Sequence, residues 1–432
     1  MILFLNDRGV SEVLILDMES HMIRTTKRLC ATAALVLIST VTTTTVYAKD
    51  KPAAAAAETI NEKIRPFLVA AQEASAKKDF ATVLVQVDKA EPVAVSPYEK
   101  FLVGQFRAIA AQSLKDTPNM VRGLDEAIDS GYSSPSVATF ALIAGQTAYS
   151  DGNYTKAIDR FTKAQAAGST EPALRSFIAD CYFKLKRVPE GLALVDKSYL
   201  DDQAAKRVTP QDDLARAAQA ALDAKLPKDE IIWLSRLVAN YPTPTNWHDL
   251  LAIYRDAHPL SPQGILDLYR LMKVTNSFKS PAEVEEYAIT ALDKRGLPGE
   301  AKAAMDDAMA AGIITKLSTS MTEIKNVSTA KAGPDHASLA GSEKQAATAA
   351  NGRVAKGTAD AYFGYKEYTK AIELYKLAQT KGGVEPRLIN MGLGESYALS
   401  GDKADAIPAL TSVTGESADL ANFWVLWLNL AK

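Results

Sequence analysis

Cysteine is nearly missing from this chain: Cys30 and Cys181 are the only two in 432 residues, so no disulfide framework is possible. Histidine is as scarce, with four residues. None of the pairs among His248, His258 and His336 has the short spacing that sets two imidazoles on one helix face, and no metal site or cofactor is expected. Aromatic residues make up 7%, and long alanine-bearing stretches stand where a sheet protein carries β-branched runs, which favours helix. Charge of one sign is not in excess. With 49 basic and 51 acidic residues the net is -2, and the clustered cations that grip a nucleic-acid backbone are absent. A hydrophobic share of 47% excludes a disordered chain.

No apolar run is long enough to span a bilayer. The longest, Leu29 to Val41, holds about 13 residues where roughly 20 are needed. It follows Arg24, Lys27 and Arg28 and leads to Val46-Tyr47-Ala48, the layout of an export signal cleaved between Ala48 and Lys49. Residues 1–48 are therefore assigned as a signal peptide, with translation starting at Met22. No transmembrane anchor is expected after processing, and the mature chain is placed in the periplasm or outside the cell. Residues 49–60, with Pro52 and five alanines, form a leader.

Two ladders of proline organise the rest. One runs Pro97, Pro135, Pro172, Pro210, Pro244, Pro281, and the other Pro189, Pro227, Pro262, Pro298, Pro334, each with steps of 34–38 residues. Proline is tolerated in a first helical turn and disfavoured inside, so each rung marks a helix start. The ladders are offset by about half a step, room for one helix of roughly four turns and a turn. A repeated helix pair results. Val284, Tyr287, Ala288, Ala291 and Leu292 show the matching amphipathic spacing.

Inside the units small and large residues recur in one order: Gly145, Ala148, Tyr154, Ala157, Phe161, Ala164, and again Ala359, Tyr362, Tyr368, Ala371, Tyr375, Ala378. Gly394, Tyr397, Ala406, Leu410 and Val413 repeat it, with Lys403 departing at the third position. This pattern resembles the tetratricopeptide repeat, over roughly residues 60–416. The resemblance implies an all-α fold, a right-handed α-α superhelix (solenoid) of about ten helix-turn-helix repeats. It also implies that the first helix of each pair lines a groove that takes a protein or peptide partner. Carried over, the lining residues are Gln146 and Tyr149, Asp180 and Phe183, Arg353, Lys356 and Phe363, and Met391. Acidic residues at Asp180, Asp360 and Glu395 replace the lysines and asparagines with which family members hold a terminal carboxylate.

The repeats divide into an array over 60–317, a weak polar repeat over 318–352, and a last pair of repeats over 353–416. Between Ser318 and Arg353 only Met321, Ile324, Val327 and Leu339 are large and apolar, so a thin helix pair opened by Pro334 is expected there, with a hinge. Residues 417–432 form an apolar capping helix, whose Phe423, Trp424, Trp427 and Leu428 suit self-association. Catalysis finds little support: no nucleophile-elbow serine occurs, and Cys181 sits where the repeat packs. The expected function is a non-catalytic scaffold for protein–protein interaction in a bacterial envelope. Two alternatives remain, an accessory of polysaccharide or cell-wall machinery using Trp233 and Trp247, and an enzyme site around His248, Asp249, Arg255 and His258.

Overall fold

The computed structural model describes residues 59–430, so the signal segment and most of the leader lie outside the described residues. Twenty α-helices and no strand occur among those residues. They divide into two compact units that meet between Asp213 and Leu214.

The first unit contains α1 (Arg65–Ala76), α2 (Phe80–Ala90), α3 (Pro97–Leu114), α4 (Thr117–Asp129), α5 (Pro135–Ser150), α6 (Tyr154–Ala166), α7 (Leu174–Lys184) and α8 (Val188–Ala204). Helix α9 (Gln211–Asp223) carries the division. The second unit continues with α10 (Pro227–Asn240), α11 (Pro244–Ala257), α12 (Pro262–Val274), α13 (Pro281–Ile289), α14 (Pro298–Ala310), α15 (Thr319–Thr348) and α16 (Arg353–Gly364). It ends with α17 (Tyr368–Lys381), α18 (Pro386–Ser400), α19 (Lys403–Thr411) and α20 (Ala418–Leu430).

Local chemistry explains most of the helix starts. Ser96 and Ser280 each close a capping box with the glutamate three residues on, and a proline follows each in the first turn. Asp79, Asp116, Asn153, Thr243 and Asp402 cap five more through side-chain oxygens. Prolines 97, 135, 189, 227, 244, 262, 281 and 298 all fall in first turns. The turn inside most pairs is equally regular, the one between α11 and α12 excepted. It places one residue in the left-handed region, glycine at 152, 296 and 401, but lysine at 78, 115, 186, 225 and 366 with φ between 57° and 65°.

Pairs pack by setting small residues against large ones. A Cβ on Gly145 would lie 2.5 Å from the Phe161 ring, which is buried between Ala157 and Ala164 and stacks on Phe177 at 5.5 Å. Each such aromatic contributes about 1.5–3 kcal/mol by leaving water. Polar links tie the same helices. Arg107, 1% exposed, donates to Asp88 on α2, to Glu91 just after it, and to Glu126 on α4. Its three acceptors satisfy a charge that would be costly to bury alone.

Pro334 departs from its ladder. Residues 319–348 form one helix, not a pair, with Pro334 inside it. Two features explain this. The ring is exposed, so the carbonyl it leaves unbonded can meet water. The buried residues Met321, Ile324, Ser328, Ala332, Leu339 and Ala346 form one stripe along both halves, which a break would put out of register. Neighbouring pairs also hold the helix: Tyr365 donates to the Ala332 carbonyl at 2.8 Å and to Asp335 at 2.7 Å, and Lys381 donates to the carbonyls of Ala347 and Ala349.

The terminal helix spends its apolar side within the second unit. Leu420, Ala421, Phe423, Trp424 and Leu428 are buried, and α20 lies against α10, α12, α18 and α19. Phe423 meets Tyr254 of α11 edge-on at 5.3 Å, and Tyr254 donates to the Glu416 carbonyl. This intramolecular packing takes up much of the apolar side, while Val425, Leu426 and Trp427 stay half-buried. No described helix is long and apolar enough to cross a membrane.

Candidate partner-binding faces

In the first unit, α5 and α7 lie side by side and bring the expected residues together. The Tyr149 hydroxyl donates to the Asp180 carboxylate across the two helices. Gln146, one turn before Tyr149, is 6% exposed, and its Oε1 has no hydrogen-bond partner. Ser176 donates to Asp213 at 2.8 Å on the same side. Burial, then the charge of Asp180, pushes the Tyr149 hydroxyl far up, so it stays a donor at any ordinary pH. Phe183 is half-buried, and its ring lies so close to Gly191 that a Cβ there would approach within 2.4 Å. It therefore serves the packing of α7 on α8 as much as the surface. Beside this patch Cys181 is fully buried, and burial pushes its thiol up to about 12, leaving it without nucleophilic thiolate.

The same register in the second unit gives a different result. Arg353 is exposed, but Lys356, Phe363 and Met391, expected on an open face, are 9%, 5% and 2% exposed. Side chains of α12 reach across to Lys356 and Phe363. Arg270 holds Glu300 with two bonds, Nε at 2.7 Å and Nη2 at 2.8 Å, and its Nη1 donates to Glu395 at 2.7 Å. Its guanidinium lies 4.0 Å from the centre of the Phe363 ring. Lys356 pairs with Asp360 at 2.6 Å and donates to Gln263 of α12, while Tyr375 donates to Asp360 at 2.7 Å. The face expected to line a groove is here a buried polar interior. Sequence reasoning missed Arg270, because nothing local distinguishes it from a solvated helix residue.

The residues of the alternative sites are engaged in packing and hydrogen bonds. His248 has both ring nitrogens engaged, Nε2 with Glu283 at 2.8 Å and Nδ1 with Asp249 at 3.2 Å. His258 stacks on Tyr254, and Arg255 donates to the Tyr269 hydroxyl. Trp233 and Trp247 are 3% and 2% exposed, which removes them as platforms for a sugar. No group of three His, Cys, Asp or Glu among the described residues is placed to hold a metal ion.

Burial alone would lower the His248 pKa, but hydrogen bonds to Asp249 and Glu283 together outweigh it and hold the imidazolium above the usual histidine value. A raised folded value stabilises fully below the unfolded pKa of about 6.5 and is lost as pH rises through the folded one. His248→Gln is therefore expected to cost about 1–3 kcal/mol at pH 6, with the deficit shrinking towards pH 9. Denaturant unfolding at both pH values measures it, and an equal deficit at both would show that the imidazole is uncharged.

The fold and these faces define a class, an all-helical protein of repeated pairs. Residues 122–172 and 144–208 match the model of the tetratricopeptide repeat. This part of the chain is similar to the tetratricopeptide repeat, and the matched segment holds α5 and α7 with their polar patch. Repeats of this kind suggest a scaffold for protein–protein interaction. Comparison with curated proteins finds no match. Among solved structures, the Naa15/Naa10 complex bound to HypK-THB shows 11% identity and a TM-score of 0.28 over 84% of this chain, which spans 63% of that one. Yeast Tom70 shows 10% identity and a TM-score of 0.23, with 85% and 88% covered.

Proposed function

We propose that the protein is an exported, non-catalytic scaffold that binds a protein or peptide partner in the bacterial cell envelope, through the face formed by α5 and α7. The observation that carries this reading is the buried amide oxygen of Gln146. It lacks a hydrogen-bond partner beside the Tyr149–Asp180 pair, inside the segment that matches the repeat model. An extended partner that turns the Gln146 amide outward satisfies that oxygen, and the half-buried Tyr149 ring supplies the aromatic contact on which recognition commonly rests. Export rests on the basic stretch from Arg24 to Arg28, the apolar run after it and the small residue at Ala48.

The test is capture of partners from an envelope fraction by the mature chain, followed by measured affinity for variants. Tyr149→Ala and Gln146→Ala are each expected to weaken binding by about 1–3 kcal/mol, roughly 5- to 150-fold. His248→Ala is expected to leave binding unchanged. Loss of function with the histidine change, while the α5 changes are silent, would favour an enzyme. Recovery of the chain from the cytoplasm with residues 22–48 intact would overturn export.

A further inference from the structure

The interior between α12, α16 and α18 holds more carboxylates than cations. Asp267, Glu300, Asp360 and Glu395 face Arg270, Lys356 and Arg295, and all four acids are at most 3% exposed. Glu300 is matched by two bonds from Arg270 and one from Tyr287 on α13. Asp360 is matched by Lys356, by Tyr375 on α17, and by Arg295 from the π turn that follows α13. Asp267 and Glu395 are left with one cationic atom between them. Both accept from Arg270 Nη1, at 3.3 Å and 2.7 Å, and Asp267 also accepts from Gln263. The remaining oxygen of each, Asp267 Oδ2 and Glu395 Oε1, is buried with no hydrogen-bond partner. Two carboxylates on one nitrogen, in a cluster one cation short, cannot both stay ionised without a large desolvation cost.

We propose that Asp267 and Glu395 hold one proton between them, and that this proton fastens α12 over the face of α16 and α18 that corresponds to the α5–α7 face. The proposal rests on the reading that such faces bind partners, and it supplies the regulation of the second one. With the proton in place, Lys356, Phe363 and Met391 are covered. When it leaves, two anions share Arg270 Nη1, their repulsion drives α12 off, and the face opens. Burial raises both carboxyls, and for Glu395 the charge of Asp267 adds to it, while Arg270 opposes. Folded values above the unfolded ones mean that the closed form binds the extra proton, so it weakens as pH rises from about 4 through the folded values.

All four tryptophans, at 233, 247, 424 and 427, lie in the second unit, so tryptophan fluorescence of the whole chain reports its unfolding alone. Denaturant unfolding from pH 5 to 9 is expected to show an unfolding constant that climbs with pH, by about tenfold per unit at most for one proton. Glu395→Gln, which keeps the neutral form at every pH, is expected to flatten that climb to the part His248 supplies, and Asp267→Asn to do the same. The contribution of His248 has the same sign but is present in parent and variants alike, so it cancels in their difference. Hydrogen exchange, corrected for intrinsic rate, is expected to show α12, α16 and α18 losing protection with pH ahead of α10 and α11. A parent with no pH dependence, or amide variants whose climb equals the parent's, would overturn the shared proton. So would failure of both amide variants to fold, since both groups would then be needed as anions. Uniform loss of protection would overturn the opening of the face. Silent Tyr149 and Gln146 variants alongside an intact proton linkage would instead sink the partner-binding reading and leave the lock standing.

Discussion

Arg270→Met is expected to lower the stability of the second unit by about 3–5 kcal/mol, enough to leave much of it unfolded under mild conditions. The guanidinium is 2% exposed and is the cation that bonds Glu300, Glu395 and Asp267. Methionine fills similar volume over Phe363 but leaves three buried carboxylates without it, and burial then drives them towards protonation. Arg270→Lys keeps the charge and loses both the two-bond grip on Glu300 and the flat stacking on Phe363, so an intermediate loss is expected. Adding Glu300→Gln and Glu395→Gln to Arg270→Met should recover part of the deficit, because stranded charge, not lost packing, causes most of it. Tryptophan fluorescence follows the second unit, and helical circular dichroism that persists beyond its transition reports the first. A shift below 1 kcal/mol would mean that water reaches the cluster.

What could be read from the sequence follows the range of the interactions concerned. Helix starts were legible because proline in a first turn and a serine three residues before a glutamate act within four residues. The repeat was legible because Gly145 and Phe161, or Gly394 and Leu410, meet at the same positions of their copies. One local sign was there to be used and was passed over, the lysine that recurs at 78, 115, 186 and 225 in the turn of successive pairs. Pro334 shows the local rule yielding: its exposed ring costs one hydrogen bond, and Tyr365 together with a continuous buried stripe keeps the helix whole. The candidate site divides in the same way. Gln146, Tyr149 and Asp180 follow from register on adjacent helices, and the structure joins Tyr149 to Asp180. Lys356, Phe363 and Met391 follow from the same register, yet all three are buried, and Gln263 and Arg270 of α12 reach this face from 93 and 125 positions away from their partners Lys356 and Glu395. No spacing rule reaches that far.

The first unit offers the second large effect. Gly104→Ala is expected to destabilise it by about 2–3 kcal/mol, against the usual gain of roughly 1 kcal/mol when alanine replaces glycine in a helix. A Cβ at 104 would stand 2.5 Å from the backbone nitrogen of Ala127 and 2.6 Å from the carbonyl oxygen of Gly123. Gly123 returns the contact, its own Cβ falling 2.5 Å from the Ala108 nitrogen. Helices α3 and α4 therefore touch backbone to backbone, and no side chain can rotate away to make room. Relief requires the helices to part, which also draws Arg107 on α3 away from Glu126 on α4. Gly145→Ala meets only the Phe161 ring, a side chain with some freedom, and should cost less. Gly357→Ala, on α16 with nothing within 4 Å, should stabilise by about 0.5–1 kcal/mol. Thermal melting by far-UV circular dichroism separates the three, with tryptophan fluorescence unchanged for Gly104→Ala and Gly145→Ala. If Gly104→Ala melts with the parent, then α3 and α4 sit further apart than backbone contact, and small residues in these repeats do not set the distance between helices.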